Sequence, residues 1–190
     1  MRGPLVAVLA MLALVAACSP SVGKPTPETT TTNAAKPPSA STEPSSTRPR
    51  EIRLNDVQPC ELLTAEQLPT LKIDRQGRPE VSDFYGTTGC AWTITGADHR
   101  LLPVTKEGIE AWTDGERTGQ PTEIEPILGF PAITVTLPSD PDNCDVMVDT
   151  ADGQYLVATF SVSQSFKDRF PKPCDGARQL AEAAMQNLFK

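Results

Sequence analysis

The chain of 190 residues contains a single histidine, His99, and only two tryptophans and two tyrosines. A Ser-His-Asp or Cys-His nucleophile system would have to rest on that one imidazole. His99 lies between Asp98 and Arg100 in an expected turn, a poor place for a buried, oriented base. The Gly-x-Ser-x-Gly elbow is missing. So is any Cys-x-x-Cys pair, and that absent ligand spacing, with a single histidine, argues against a zinc centre. Gly86-x-x-Gly89 is not followed by a helical pattern, so nothing resembles a phosphate loop. No metal site and no cofactor are expected. Long hydrophobic runs are also lacking. The longest, Leu5 to Ala17, has thirteen apolar or small residues, short of the ~20 that a helix needs to cross a hydrocarbon core.

Basic residues are scarce where the fold should lie. From residue 51 onward there are 12 Lys and Arg against 22 Asp and Glu. That balance argues against a nucleic-acid partner, which calls for a basic face. It also argues against electrostatic attachment to anionic lipid.

What the sequence does have begins with Cys18. Arg2, the apolar run and Leu14-Val15-Ala16-Ala17-Cys18 describe a secretory signal peptide. The cysteine at the cut site makes it resemble a bacterial lipoprotein signal. That resemblance implies a diacylglycerol on the Cys18 thiol and cleavage after residue 17. The expected partner is then the membrane, reached through acyl chains, two or three of which anchor stably.

Residues 19–50 follow, 20 of them Pro, Ser or Thr and none aromatic. Such a segment cannot bury enough apolar surface to offset its ordering entropy. Residues 18–50 are therefore expected to be an acylated cysteine and a disordered tether. As a flexible coil the tether would span a root-mean-square ~30 Å. A single extracytoplasmic domain is expected over 51–190.

Cys60, Cys90, Cys144 and Cys174 lie within that domain, and four cysteines in an exported protein imply two disulfides. Three pairings are possible. The expected one is Cys60–Cys90 and Cys144–Cys174. Each bridge would close a loop of roughly 30 residues, worth roughly 3–4 kcal/mol in the chain-entropy account.

Thr64 and Gln67 form a capping-box pattern, predicting a short helix that ends at Pro69. Residues 74–88 read as polar turns. Cys90–Thr95, Leu101–Thr105, Ala132–Leu137, Cys144–Asp149 and Tyr155–Val162 read as strands. Gly96–His99 reads as a hairpin turn, Ser139–Asn143 as a loop, and Asp152-Gly153 as a second hairpin turn. Gly108–Trp112 suggests one or two helical turns. Asp175 is placed as the cap of a terminal helix whose stripe is Ala177, Leu180, Ala181, Ala184, Met185 and Leu188. The fold class is α+β: an antiparallel sheet with hairpins, a short N-terminal helix and a C-terminal amphipathic helix packed on the sheet.

Several of these features occur together in a recognisable order. They are Pro59-Cys60 before Leu62-Leu63-Thr64, the Cys90-x-Trp92 strand and Gly129-x-x-Ala132. Cys144 then opens a strand, and Cys174 precedes an Ala-rich terminal helix. Over roughly residues 54–190 the chain resembles an actinobacterial family of secreted lipoproteins built on domain of unknown function 3558. The resemblance implies an envelope location and a disulfide-bonded α+β domain, with no catalytic residues to carry over.

Two acidic clusters and one tryptophan remain as candidate chemistry. Asp140, Asp142, Asn143 and Asp145 are rich in oxygen, but Cys144 and Asp145 break the calcium-loop pattern, so a turn is expected. Glu107, Glu110, Asp114, Glu116, Glu123 and Glu125 read as a solvated face. Two of them converging in a cleft would instead suit glycoside chemistry. Trp112, in a polar stretch, is either a core residue or a stacking surface for a ligand such as a sugar. The expected function is a non-catalytic envelope module that binds a lipid, a wall component or another protein. The alternative is a carboxylate-dependent enzyme acting on cell-wall glycan or lipid.

Overall fold

The computed structural model describes residues 48–190. Cys18, the signal segment and residues 19–47 of the expected tether lie outside them. Seven strands form one antiparallel sheet: β1 (Arg78–Ser82), β2 (Thr87–Ile94), β3 (Ala97–Val104), β4 (Gln120–Ile127), β5 (Phe130–Leu137), β6 (Asp140–Ala151) and β7 (Gln154–Val162). Their order is β1-β2-β3-β7-β6-β5-β4. Two meanders, β1–β3 and β4–β7, thus meet where β3 pairs with the last strand. Among the described residues two α-helices complete the fold, the single turn α1 (Glu110–Thr113) and the longer α2 (Pro173–Leu188).

The pleat sends alternate side chains to opposite faces. On one face Leu101, Val146, Val148, Ala158 and Phe160 pack under Ala177, Leu180, Ala181, Ala184 and Met185 of α2. Pro173 stands in the first turn of α2, and Lys172 rather than Asp175 precedes the helix. Asp175 lies inside the first turn, where its charge complements the helix dipole. The same face is finished by the chain before β1. Ile52 N donates to Thr150 O at 2.7 Å, Leu54 N donates to Gln154 Oε1 at 2.7 Å, and Leu62, Leu63, Leu71 and Ile73 are buried. Arg48 and Arg50, at the end of the segment read as tether, already engage the domain. Arg48 pairs with Asp149 and Asp152, and the Arg50 guanidinium lies 4.5 Å from the centroid of the Phe189 ring.

The bridges are Cys60–Cys90 and Cys144–Cys174. The first ties the N-terminal segment to β2 and the second ties β6 to the start of α2. They suit an oxidising, extracytoplasmic environment. Among the described residues no helix is long and apolar enough to cross a membrane.

The domain is mostly sheet, and several expectations need correction. The short N-terminal helix is replaced by a 3-10 turn, Pro59–Glu61, and a run of turns. Half of the capping box forms, with Thr64 N donating to Gln67 Oε1 at 2.8 Å. Pro69 removes a backbone donor and blocks further helix. Residues 74–88 contain β1, an edge strand with Pro79, and 120–127 form β4, the other edge, with Pro121 and Pro126. Edge strands tolerate proline and charge because one side of their backbone needs no partner. Ser139–Asn143 is mostly strand, since Leu137 pairs with Asp140 across a two-residue turn. The first hairpin turns at Thr95-Gly96, with Ile94 opposite Ala97, so His99 falls inside β3.

Candidate functional site

The second face of the sheet is covered by the connection from β3 to β4. This connection starts at the middle of the sheet and ends at its far edge, so residues 105–119 must cross that face. Trp112 of α1 is the plug, packed with Leu102, Val104, Ile133, Val135, Met147, Tyr155 and Val157. The indole Nε1 donates to Tyr155 Oη at 3.0 Å. Tyr155 Oη donates to Glu107 Oε1 at 2.6 Å, and Arg117 Nε and Nη2 reach Glu107 Oε2 at 3.1 and 2.7 Å. Each polar group in this relay thereby finds the partner that burial demands. Burial, and then the bond to Glu107, pushes the Tyr155 phenol above its ordinary value.

Trp112 covers only part of the face. One cross-strand row beyond it runs Arg100, Thr159, Asp145, Val135, on β3, β7, β6 and β5. The β1–β2 turn, residues 83–86, folds over this row and brings Tyr85 and Phe84 with it. Tyr85 Oη donates to Asp145 Oδ2 at 3.0 Å, and Thr159 Oγ1 donates to Asp145 Oδ1 at 2.6 Å. Phe84 stays 54% exposed, its ring centroid 6.1 Å from that of Trp112 and 5.0 Å from the Arg117 guanidinium.

A cavity of about 260 Å³ opens between these groups. Its apolar wall includes Phe84, Tyr85, Trp112, Leu102 and Leu137; Asp145, Thr159, Asn143 and Arg100 supply the polar side. Burial raises the Asp145 pKa, while the Thr159 and Tyr85 hydroxyls and the charge of Arg100 pull it back. Burial and the neighbouring Asp145 charge push the Tyr85 phenol well above its usual value. Other hollows lie among the described residues. One of about 330 Å³ lies between Gln67 and Gln186, and one of about 470 Å³ lies along β4 at Ile124 and Pro126. Neither is lined by a buried ionisable group.

A family model described as "Protein of unknown function (DUF3558)" matches residues 13–187. The chain belongs to this family. No curated protein and no solved structure matches it.

The DUF3558 fold places the candidate residues as follows. Trp112 is at once core, hydrogen-bonded and part of the cavity wall. Cys60, Cys90, Cys144 and Cys174 are in the two bridges, and Cys18 lies outside the described residues. His99 is not a solvated turn residue; it is 2% exposed, with its ring 4.8 Å from that of Phe160. Burial draws its pKa down to about 4. The acidic run does not converge: Glu107 turns inward to Arg117 and Tyr155, while Glu110, Asp114, Glu116, Glu123 and Glu125 are exposed. The aspartate cluster is divided. Asp142 takes Lys167 and Gln164, whereas Asp145 is the part-buried carboxylate of the cavity. Among the described residues no group of three His, Cys, Asp or Glu is placed to hold a metal ion.

Sequence reasoning passed over Tyr85, Phe84, Arg100 and Thr159. One signal was present. Phe84-Tyr85 is an aromatic pair in a polar stretch of a chain with 5% aromatics, and exposed aromatics in a turn invite a functional reading.

Proposed function

We propose that this DUF3558 protein is a lipoprotein, held at the outer face of the plasma membrane by acyl chains on Cys18. Its domain is a non-catalytic binding module, and its site is the cavity on the sheet face opposite α2. The anchor rests on the signal sequence and on the two disulfides. The binding role rests chiefly on one observation. Asp145 is part-buried at the cavity with two hydroxyls as its hydrogen-bond partners and no direct ion pair among the described residues. Burying a carboxylate costs stability that a paired cation would offset. A fold that keeps such a group beside an aromatic-walled hollow has the character of a binding site.

Two experiments test this reading. Cys18→Ala is expected to move the protein from the membrane fraction to the soluble one; a variant still pelleting with membranes removes the anchor. A fragment set screened by NMR is expected to shift the Trp112 indole and Tyr85 signals. Leu137→Trp, which fills the rim, is expected to abolish those shifts. A screen in which nothing moves the cavity signals removes the binding role.

A further inference from the structure

The charges around the cavity are unevenly paired. Arg100 Nε lies 3.1 Å from Glu80 Oε1, so β1 answers the cation of β3. Arg117, over Phe84, is held by Glu107 at 2.7 Å. Asp145 has Tyr85 and Thr159 hydroxyls, which solvate its charge without neutralising it. The charge of Arg100 favours the Asp145 carboxylate from across the cavity, and that of Asp140, on the same strand, opposes it. Asp145 is thus the one carboxylate lining the cavity, part-buried and without a direct ion pair among the described residues.

A carboxylate offers about four lone-pair directions, and the two hydroxyls occupy only part of that capacity. The rings of Phe84, Tyr85 and Trp112 line the same hollow. Aromatic faces attract cations, more so where water is excluded. We infer that the cavity recognises a small organic cation, a protonated amine or quaternary ammonium on an apolar or aromatic body, with the cationic head at Asp145 and the body against Phe84 and Trp112. This inference rests on the binding role proposed above and adds the chemical class of the ligand. The volume limits its size. A cavity of about 150 Å³ takes benzene, so the 260 Å³ here suits about ten non-hydrogen atoms.

The test uses three probes of one shape with the full, isotope-labelled chain at neutral pH: phenethylamine, 2-phenylethanol and 3-phenylpropionate. The expected result is that the ammonium binds at least tenfold more tightly than the alcohol or the carboxylate, shifting the Trp112 indole and Tyr85 signals. Asp145→Asn is expected to erase that preference. Phe84→Ala, at an exposed tip, should weaken all binding severalfold yet keep the order of the probes; it serves also if the Asp145 variant fails to fold. Equal or tighter binding of the alcohol or the carboxylate overturns the cation assignment and leaves the binding role standing. So does an Asp145→Asn variant that keeps the preference. Silence of the cavity signals towards all three probes overturns the cation assignment. If the wider fragment set is silent as well, the binding role falls with it.

Discussion

Acid should weaken this fold through His99. The imidazole sits on β3 between Trp92 of β2 and Phe160 of β7, on the face that α2 covers. Its Nδ1 has no hydrogen-bond partner among the described residues. Burial lowers its pKa to about 4, against a smaller opposing pull from Asp98. The unfolded chain, with a histidine near 6.5, binds a proton that the folded one refuses. Stability therefore falls as pH drops below about 6.5 and levels off below about 4. With 1.36 kcal/mol per unit, the loss is about 2 kcal/mol between pH 7 and 5 and about 3 kcal/mol by pH 4. Asp145 and Asp149 act with the opposite sign. Burial chiefly raises both of their pKa values, so the folded state takes up protons more readily than the unfolded chain just above the ordinary carboxylate range. A comparison with His99→Gln isolates the histidine. Urea unfolding at pH 7, 6, 5 and 4 should show the native protein losing about 3 kcal/mol more than the variant. Parallel stability curves for the two would refute the reasoning, as would a His99 NMR titration centred near 6.5.

Other perturbations have defined outcomes. Leu128 (φ 52°) and Gly129 (φ 85°) form the β4–β5 turn; Leu128→Asn, suited to a left-handed backbone, should raise stability by about 0.5–1 kcal/mol in urea melts. Gly176→Ala places a Cβ 2.3 Å from the Phe160 ring. That clash should outweigh the gain in helix propensity and leave a net loss of about 1–2 kcal/mol by the same assay. Trp112→Phe keeps a ring in the core but deletes the donor to Tyr155, and should cost about 1–2 kcal/mol in thermal unfolding. Replacing Cys144 and Cys174 together by serine should lower stability by about 3–4 kcal/mol, read against the native protein under non-reducing conditions.

What could be read in the chain beforehand follows physical lines. β2, β5, β6 and β7 announce themselves because central strands are β-branched and aromatic on at least one face. The stripe of α2 does so by its spacing. β1 and β4 were hidden because edges need no apolar alternation, and their prolines read as breakers. Thr64 and Gln67 make a real contact without a helix, since Pro69 overrides the cap. Asp145 was visible as a strand residue and as a member of an acidic loop, but its burial depends on Thr159 and on Tyr85. Those partners arrive from 14 and 60 residues away. The indole of Trp112 is a core side chain whose flank meets the cavity, so its two readings did not exclude one another. His99 was misplaced because the turn before it is two residues tighter than Gly96–His99 suggests.

The pairing of β3 with β7 joins residues 51 to 65 positions apart in sequence. Each meander can fold from neighbouring hairpins, but this seam needs a long loop to close, a slow and entropically costly event. Arg100 stands on one side of the seam and Thr159 and Asp145 on the other, with Tyr85 reaching across. A half-made polypeptide therefore carries no trace of the hollow. It comes into being only when the final strand has docked.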